Sequence, residues 1–495
     1  MVFNSYVFLL LFLPVFLAAM GIINKISAAR PRYKKLFKSA IIAFSVMFYV
    51  PFGVRNFAVL AVSILINAAA GLYLSSDSGR GKSALFRIVF LAALVLVNVI
   101  ALLFFKFSGI FFPVAVSFYT FNQISYIVDL CRGDTESFEL TDYLAYILFF
   151  PKILQGPLMG YGEFVKELDK AKKEPFDFER LLRALFLLSM GLFKKVILAD
   201  TFGRAVDFGY DNLLTLGSLE AVLVAVFYSF QLYFDFSGYC DMAAAVCMMT
   251  GFDLPVNFNS PYKAVDIVDF WKRWHITLTG FFTKYVYIPL GGNRKGALRM
   301  YVNFMIVFLL SGLWHGSGWT FIVWGAMHGV LYVATRMAGK TKAEAITSSG
   351  QLQEKKENGA KLPVLVIKTA LTFIYVTAAW VFFRAGTVSD AMTLFKRMVI
   401  GGPKRIASGM SACFQLDELW YVIKVTPIME LSFAWDICLW VFLAAGAGIV
   451  FFAPNAFEIS KKCRIGIKTT ILTAILLVWS IVSFAGVSTF LYMNF

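Results

Sequence analysis

Long apolar runs constrain this chain of 495 residues more than any other feature of its sequence. A helix needs about 20 apolar residues to cross the hydrocarbon core of a bilayer, which is roughly 30 Å thick. Runs that approach or exceed this length lie at residues 3–23, 39–74, 87–105, 110–130, 181–199, 218–234, 301–337, 363–383, 435–453 and 469–488. The sequence therefore predicts an all-α polytopic membrane protein.

The composition supports this class and excludes others. Hydrophobic residues make up 59% of the chain and charged residues only 15%, whereas soluble domains average about 45–50% apolar residues. The net charge of +16 comes from Lys and Arg residues that lie between the apolar runs, as in cytoplasmic loops. We therefore expect a lipid bilayer as partner and no nucleic acid.

Two of the apolar runs contain residues that interrupt a helix. Run 39–74 has Pro51 and Gly53 near its middle, and run 301–337 has three glycines within 312–318. Proline removes a backbone donor and glycine loosens the turn, so each run predicts two helices. With these divisions we expect about eleven crossings, plus short segments at 142–159 and 240–252 that can be re-entrant.

The basic residues also predict orientation and organisation. The loop after the first run is rich in Lys and Arg, which places it in the cytoplasm and the N-terminus outside. Segment 338–362 is polar and predicts a flexible cytoplasmic loop. We expect a single membrane domain over 1–495, with its chemical motifs in 110–335; the charges do not define the topology of 386–434.

All three histidines, His275, His315 and His328, fall within residues 271–329. A titratable side chain in an apolar run is costly and therefore indicates a functional site. His315 is surrounded by glycines that leave room for a ligand, with Trp314 and Trp319 as large flat walls. A neutral imidazole there can act as a general base towards a hydroxyl, although a histidine packed against a carbonyl is the alternative.

The other two histidines are weaker candidates. His275 follows Trp271 and Trp274 beside two cations, a pattern typical of a membrane interface, so binding and interfacial roles are equally consistent with it. His328 lies about 20 Å beyond His315 along a straight helix, which favours packing. The spacing of the three histidines, without a nearby carboxylate pattern, predicts no metal site.

Other polar residues occur in apolar surroundings. Asp235 and Asp241 can line a cavity or pair with Lys152, Lys194 or Lys195, and structural pairing is the favoured interpretation. Asn293 and Arg294 lie in a glycine-rich basic turn that can offer donors to phosphates or serve as a cytoplasmic loop. The apolar C-terminal segment 490–495 predicts a tail tucked into the protein, with Tyr492 as an acyl acceptor or an interfacial anchor.

A series of motifs resembles the membrane-bound O-acyltransferase family, and within it the bacterial branch that acetylates alginate. The resemblance covers about residues 1–335 and the tail, and its motifs occur in this order: QGP at 155–157, FDFSGYCDM at 234–242, NFNSPY at 257–262, DFWKRWH at 269–275, YIPLGGNR at 287–294 and SGLWHG at 311–316.

The resemblance implies a ring of tilted helices with re-entrant and interfacial helices around a central funnel. It also implies that His315 is the essential histidine, His275 a second polar residue, and Tyr492 a proposed acyl relay. Met493 and Asn494 stand where Phe and Gln are expected. The active residues would then include His315, His275 and Tyr492, with Trp314, Trp274, Asp235, Asp241, Asn293 and Arg294 as candidate binding residues.

The function implied is O-acetyl transfer at the bacterial cytoplasmic membrane. The donor would be acetyl-CoA or a carrier thioester from the cytoplasm, with no bound cofactor. The acceptor would be an exopolysaccharide or cell-wall polymer outside, or a secreted acetyltransferase partner. The alternatives are D-alanyl transfer to teichoic acid, a transporter or flippase with proton-relaying histidines, and a non-catalytic scaffold. A transporter predicts an internal repeat, and the sequence shows none.

Overall fold

The computed structural model describes residues 1–29, 34–135, 138–174, 177–348, 362–416, 418, 425–427, 433–486 and 490–491, and contains no strand within them. In chain order its helices are α1 (Leu13–Ala29), α2 (Lys34–Tyr49), α3 (Val54–Ser75), α4 (Asp77–Arg80), α5 (Ala84–Phe107), α6 (Val116–Arg132), α7 (Leu140–Leu148), α8 (Phe150–Ile153), α9 (Tyr161–Ala171), α10 (Phe178–Phe193), α11 (Asp200–Asp211), α12 (Ser218–Met249), α13 (Ile267–Arg273), α14 (Ile276–Phe282), α15 (Ala297–His315), α16 (Trp319–Ser348), α17 (Leu362–Arg384), α18 (Val388–Ile400), α19 (Ser408–Ala412), α20 (Ala434–Phe451), α21 (Ala456–Lys462) and α22 (Ile467–Val482).

The predicted class of multi-pass membrane protein is confirmed. Within the described residues, 8 helices are long and apolar enough to cross a membrane: Val7–Ile26, Lys35–Phe52, Val54–Ser75, Ala84–Phe107, Ser218–Met249, Ala297–His315, Leu362–Arg384 and Ala434–Phe451. The shorter Ile467–Val482 is also apolar. The total of about eleven crossings stays a prediction, because length and hydropathy do not determine whether a short or tilted helix crosses the membrane.

Burial distinguishes helix α12 from the peripheral ones. In its most apolar stretch 83% of the residues of α12 are buried, compared with 11% for α5. A helix that is apolar on all sides and exposes that surface suits contact with lipid, whereas a buried helix must pack against protein on all sides. Helix α12 is therefore surrounded by protein over most of this stretch.

The predicted helix breaks occur where the sequence indicates them. Run 39–74 divides at a 3₁₀ turn that contains Pro51, and Gly53 adopts φ +106°, which glycine tolerates best. Run 301–337 divides after His315, and a new helix begins at Trp319. Both predicted breaks are thus present in the structure.

The structure differs from the expectations in two places and adds helices in a segment whose topology the charges leave undefined. Residues 240–249 continue α12, so no separate re-entrant segment forms there. Residues 338–348 of the predicted flexible loop continue α16, while 349–361 lie outside the described residues. Segment 386–434 contains α18, which begins with a capping box at Thr387 and Asp390, and the short α19.

The chain divides into two compact units. One comprises Met1–Val196, Phe236–Val256 and Ala456–Phe495, and the other Ile197–Asp235 and Asn257–Asn455. Each unit is assembled from segments that are distant in the chain, and all three histidines belong to the second unit. A single membrane domain over the whole chain stays a prediction.

Close packing of α15 against α16 shapes the second unit. A methyl group added to Gly312 would overlap the carbonyl of Phe321, and one added to Gly325 would come within 2.5 Å of the carbonyl oxygen of Phe308. Glycines therefore let the two backbones approach, as they do in packed membrane helices. As a result, α16 folds back along α15 and returns beside it.

Substitution of Gly325 by Ala tests this packing. We expect it to lower the free energy of unfolding by about 1–3 kcal/mol, because the methyl group forces the helices apart. Gly339→Ala on the same helix is the control, since no atom lies within 4 Å of its added methyl group. Thermal unfolding in detergent measures both. Equal melting temperatures for the two variants would show that the helices tolerate a wider separation.

Candidate active site

His315 ends α15 inside a cluster of aromatic rings. Its side chain is buried, and its ring centroid lies 4.6 Å from Trp314, 5.1 Å from Trp324 and 5.0 Å from Phe383. The next residue, Gly316, leaves space that the ring of Phe321 fills. The break in the helix therefore presents the imidazole to an apolar enclosure, where electrostatic interactions are stronger than in water.

His275 is held in a strained and well-defined position. Its φ is +43°, a left-handed conformation that is uncommon outside glycine and often found at functional sites. Its Nδ1 lies 3.1 Å from Oδ1 of Asn257, which also accepts hydrogen bonds from the hydroxyl and backbone N–H of Thr277. Because this oxygen only accepts, His275 Nδ1 donates, and the basic lone pair of the neutral ring lies on Nε2.

Trp314 connects these two histidines. Its ring centroid lies 6.5 Å from that of His275 and 4.6 Å from that of His315. A single indole therefore contacts both imidazoles, although the two histidines belong to different helical segments of the chain. The structure brings the two predicted catalytic histidines into one aromatic cluster.

His328 lies much closer to His315 than a straight helix predicts. Trp324 contacts both rings, at 5.1 Å from His315 and 5.0 Å from His328, so one indole bridges the two imidazoles. The wide separation expected along a straight helix is wrong, because the chain folds back after α15. His328 Nδ1 accepts a hydrogen bond of 3.3 Å from Nε1 of Trp271.

The tryptophans occupy different positions from those expected. Trp271 and Trp274 are buried rather than interfacial, and Trp274 packs on Trp380 at 5.0 Å and stacks on Phe270 at 5.6 Å. Trp314 is buried beside His315, whereas Trp319 is 77% exposed and does not form a wall of the site. The aromatic cluster thus forms from α13, α15, α16 and α17.

A cavity of about 430 Å³ adjoins this cluster within the same unit. Asn293, Tyr332 and Arg336 line part of it, and Trp271 and Ser311 line another part. Ser311 lies one helical turn before His315 on α15. The cavity therefore reaches the helix that carries the predicted base.

The glycine-rich turn 288–296 forms near this cavity. Gly291, Gly292 and Gly296 have positive φ angles of +106°, +55° and +87°, and Asn303 donates a hydrogen bond of 3.0 Å to the carbonyl of Gly292. Both side chains are exposed, and Asn293 lines the cavity whereas Arg294 does not. A buried amide thus anchors the turn.

The two acids of the motif 234–242 belong to different units. Asp241 forms an ion pair of 2.6 Å with Lys194, as the pairing interpretation predicts. This contact depends on the close approach of Gly191 and Gly238. A methyl group added to Gly191 would lie 2.9 Å from the carbonyl oxygen of Gly238, and one added to Gly238 would lie 2.8 Å from that of Gly191. Asp235 is buried in the second unit.

The C-terminal tail begins in a buried position. Phe490 is fully buried in the first unit, where it lies 5.2 Å from the ring of Tyr239 and 4.8 Å from the ammonium of Lys195. Such a contact between a cation and a ring is attractive. This agrees with a tucked tail, whereas Tyr492 lies outside the described residues.

Among the described residues, no group of three or more His, Cys, Asp or Glu side chains is placed to hold a metal ion.

Some contributors to the site were missed from the sequence. Asn257 lies in the motif 257–262 but carried no assigned role. Trp324 precedes His328 by four residues, and this spacing on one helix face was the available signal. Trp380 and Phe383 come from α17, and nothing in the local sequence relates them to His315.

Comparisons with known proteins identify the family to which this geometry belongs. The model of MBOAT, the membrane-bound O-acyltransferase family, matches residues 132–347, which include all three histidines. The peptidoglycan O-acetyltransferase of Helicobacter pylori is 32% identical, over 100% of this chain and 98% of that protein. The chain belongs to the membrane-bound O-acyltransferase family. It is therefore an O-acyltransferase.

Two further relatives extend the comparison within this family. A probable alginate O-acetylase of Pseudomonas aeruginosa is 33% identical to this chain, over 80% of its length and 75% of the length of the alginate O-acetylase. A teichoic acid D-alanyltransferase of Streptococcus thermophilus is 28% identical over 43% of this chain and 54% of that protein.

Substitution of His275 tests whether its ring, rather than its backbone, is needed. We expect His275→Asn to fold normally, because Asn tolerates a left-handed backbone, and to lower acyl transfer by at least about tenfold if the imidazole takes part. His275→Val should also reduce folding, because a β-branched residue is strained at this φ. Protein abundance and transfer are measured together. Full transfer by His275→Asn would assign a purely structural role to His275.

Proposed function

We propose that this protein transfers an acetyl group from a thioester to a hydroxyl of a cell-envelope polysaccharide, with His315 as general base. The observation that carries the proposal is the position of His315, in an aromatic enclosure one helical turn from a residue that lines the cavity. In this enclosure a neutral imidazole can accept a proton without competition from bulk water.

The proposed reaction is an acyl transfer with balanced proton movements. The oxygen of the acceptor hydroxyl attacks the thioester carbonyl carbon while the imidazole of His315 takes the hydroxyl proton. The tetrahedral intermediate collapses with cleavage of the carbon–sulfur bond, and the imidazolium returns the proton to the leaving thiolate. General base catalysis of this kind contributes typically about 10²–10⁴-fold.

The cavity is the proposed donor site. Phe304, Val307 and Phe308 make part of its lining apolar, which suits the extended uncharged arm of a thioester donor. Arg336 and Asn293 supply a cation and a polar group for the anionic part of acetyl-CoA or of a carrier thioester. The polar loop after α16 predicts that the Arg336 end faces the cytoplasm, where such donors occur.

The acceptor proposal rests on the relatives. The similarity to the peptidoglycan O-acetyltransferase extends over the whole chain, and that to the alginate O-acetylase over 80% of it. The names of both relatives describe acetylation of a glycan. We therefore place the protein in a bacterial cytoplasmic membrane. Its proposed acceptor is an envelope or exported glycan, or a secreted transferase that acts on that glycan. A relay role for Tyr492 stays a prediction.

D-alanyl transfer to teichoic acid is the second candidate, because of the similarity to a D-alanyltransferase over 43% of the chain. Mass analysis of the esters released from the cell envelope separates the two, since it identifies acetate or alanine directly. A transporter or scaffold has less support, because the chain belongs to an acyltransferase family.

Removal of the proposed base is the central test. His315→Ala should lower ester formation on the envelope polymer by about 10²–10⁴-fold at unchanged protein abundance, because no group would then take the hydroxyl proton. Ester content is measured after mild alkaline release and normalised to the amount of membrane protein. Unchanged ester content at normal abundance would contradict the proposal.

Neutralisation of Arg336 tests the donor site separately. Arg336→Gln should raise the KM for the acyl donor by about tenfold or more with little change in kcat, since loss of a charged hydrogen bond costs about 1.5–3 kcal/mol. Lys368→Gln is the matched control: Lys368 is an exposed cation on α17 that does not contribute to the cavity lining. If both variants have the wild-type KM, the anionic part of the donor binds elsewhere.

A further inference from the structure

Two fully buried nitrogens on α16 have no hydrogen-bond partner in the part of the chain that the structure describes. They are Nε1 of Trp324 and Nε2 of His328, and both side chains are 0% exposed. Buried polar groups are almost always hydrogen-bonded, and an unsatisfied one is destabilising. Two such atoms on neighbouring side chains therefore need an explanation.

The hydrogen bond to Trp271 defines the tautomer of His328. The indole nitrogen of Trp271 can only donate, and it lies 3.3 Å from His328 Nδ1. His328 Nδ1 must therefore accept, and the proton of the neutral ring is on Nε2. Since the indole nitrogen of Trp324 is also a donor, both orphan atoms are N–H groups without an acceptor among the described residues.

Two other indoles in the same cluster have hydrogen-bond partners. Trp380 donates to the hydroxyl of Tyr262 at 3.1 Å, and Trp271 donates to His328. Burial among aromatic rings is therefore compatible with a partner for the indole N–H in this part of the protein. The packing of aromatic rings alone does not explain why Trp324 and His328 lack one.

Trp324 lies beside the predicted base, and His328 is connected to the cavity through Trp271. The ring of Trp324 lies 5.1 Å from His315 and 5.0 Å from His328. Trp271, which is hydrogen-bonded to His328, lines the cavity. A carbonyl group that passes Trp271 from the cavity towards His315 would thus approach these two buried N–H groups.

We propose that the N–H groups of Trp324 and His328 form an oxyanion hole for the acyl group. The inference rests on the proposed acyl transfer at His315. When the acceptor oxygen bonds to the carbonyl carbon, the π electron pair of the carbonyl moves to its oxygen, and these donors stabilise the negative charge. The pair returns when the carbon–sulfur bond breaks, so the donors lose no proton.

The donors have the properties that such a role requires. Both are neutral, both are enclosed by protein, and both are held by packing before the reaction begins, so that little reorganisation is needed when charge develops. Trp324 is oriented by contacts with Phe383 at 5.2 Å and Trp380 at 5.7 Å, and His328 by its hydrogen bond to Trp271.

Trp324→Phe is the decisive variant, because it removes the N–H and keeps an aromatic ring. We expect kcat to fall by about 10²–10³-fold, as for removal of one oxyanion donor elsewhere, with a similar KM for acetyl-CoA and an unchanged or higher melting temperature. A donor that is merely unsatisfied would give the same stability effect without any loss of rate.

Trp479→Phe is the matched control. It removes an indole N–H that is also buried and has no hydrogen-bond partner among the described residues, but Trp479 lies in the first unit and packs on Phe193. We therefore expect less than a threefold change in kcat. Transfer from radiolabelled acetyl-CoA to envelope polysaccharide is measured in membrane vesicles that contain the full chain, and melting in detergent.

A pair of His328 variants keeps the test falsifiable if Trp324→Phe folds poorly. His328→Asn retains an acceptor for Trp271 and an N–H donor, and should preserve more transfer than His328→Leu by tenfold or more. Equal rates for these two variants, or a wild-type kcat for Trp324→Phe, would overturn the oxyanion hole.

The parallel His315→Ala variant separates this inference from the proposed function. If His315→Ala is inactive and Trp324→Phe is fully active, only the oxyanion hole is rejected. If His315→Ala still transfers acetyl groups, the proposed function itself is rejected.

Discussion

The architecture of the site depends on the close approach of α15 and α16. Gly312 and Gly325 leave no room for a side chain between the two backbones, so the chain can reverse after His315 and return beside the helix it has just left. In a bilayer, where apolar surface gains nothing by leaving lipid, such close van der Waals packing is a main source of helix association. A wider separation would move Trp324 and His328 away from His315.

Several buried polar groups of both units have partners that fix their positions. In the first unit Asp241 is neutralised by Lys194, and in the second unit Asn257 and Trp271 fix the rings of His275 and His328. Burial of unpaired polar groups is costly in an apolar body. On α16 the N–H groups of Trp324 and His328 lack an acceptor among the described residues, and the proposed oxyanion would supply one.

The sequence predicted some features of the site well because they are local. A histidine followed by glycines in an apolar run predicts a break, and the structure has it between His315 and Trp319.

Other features of the site were not predictable from neighbouring residues. Trp271 and Trp274 were interpreted as interfacial because cations lie beside them, whereas both are buried. Adjacent charges do not determine on which side of a short helix a tryptophan packs.

By itself the sequence determined the membrane class, the helix breaks and the family, because run length, helix-breaking residues and ordered motifs are properties of neighbouring positions. Only the tertiary structure decided that the three histidines share one aromatic cluster, and that a cavity adjoins it. Trp271 and His328 are 57 residues apart yet hydrogen-bonded. Such contacts depend on how helices fold back and rotate against each other, and no local pattern encodes that packing.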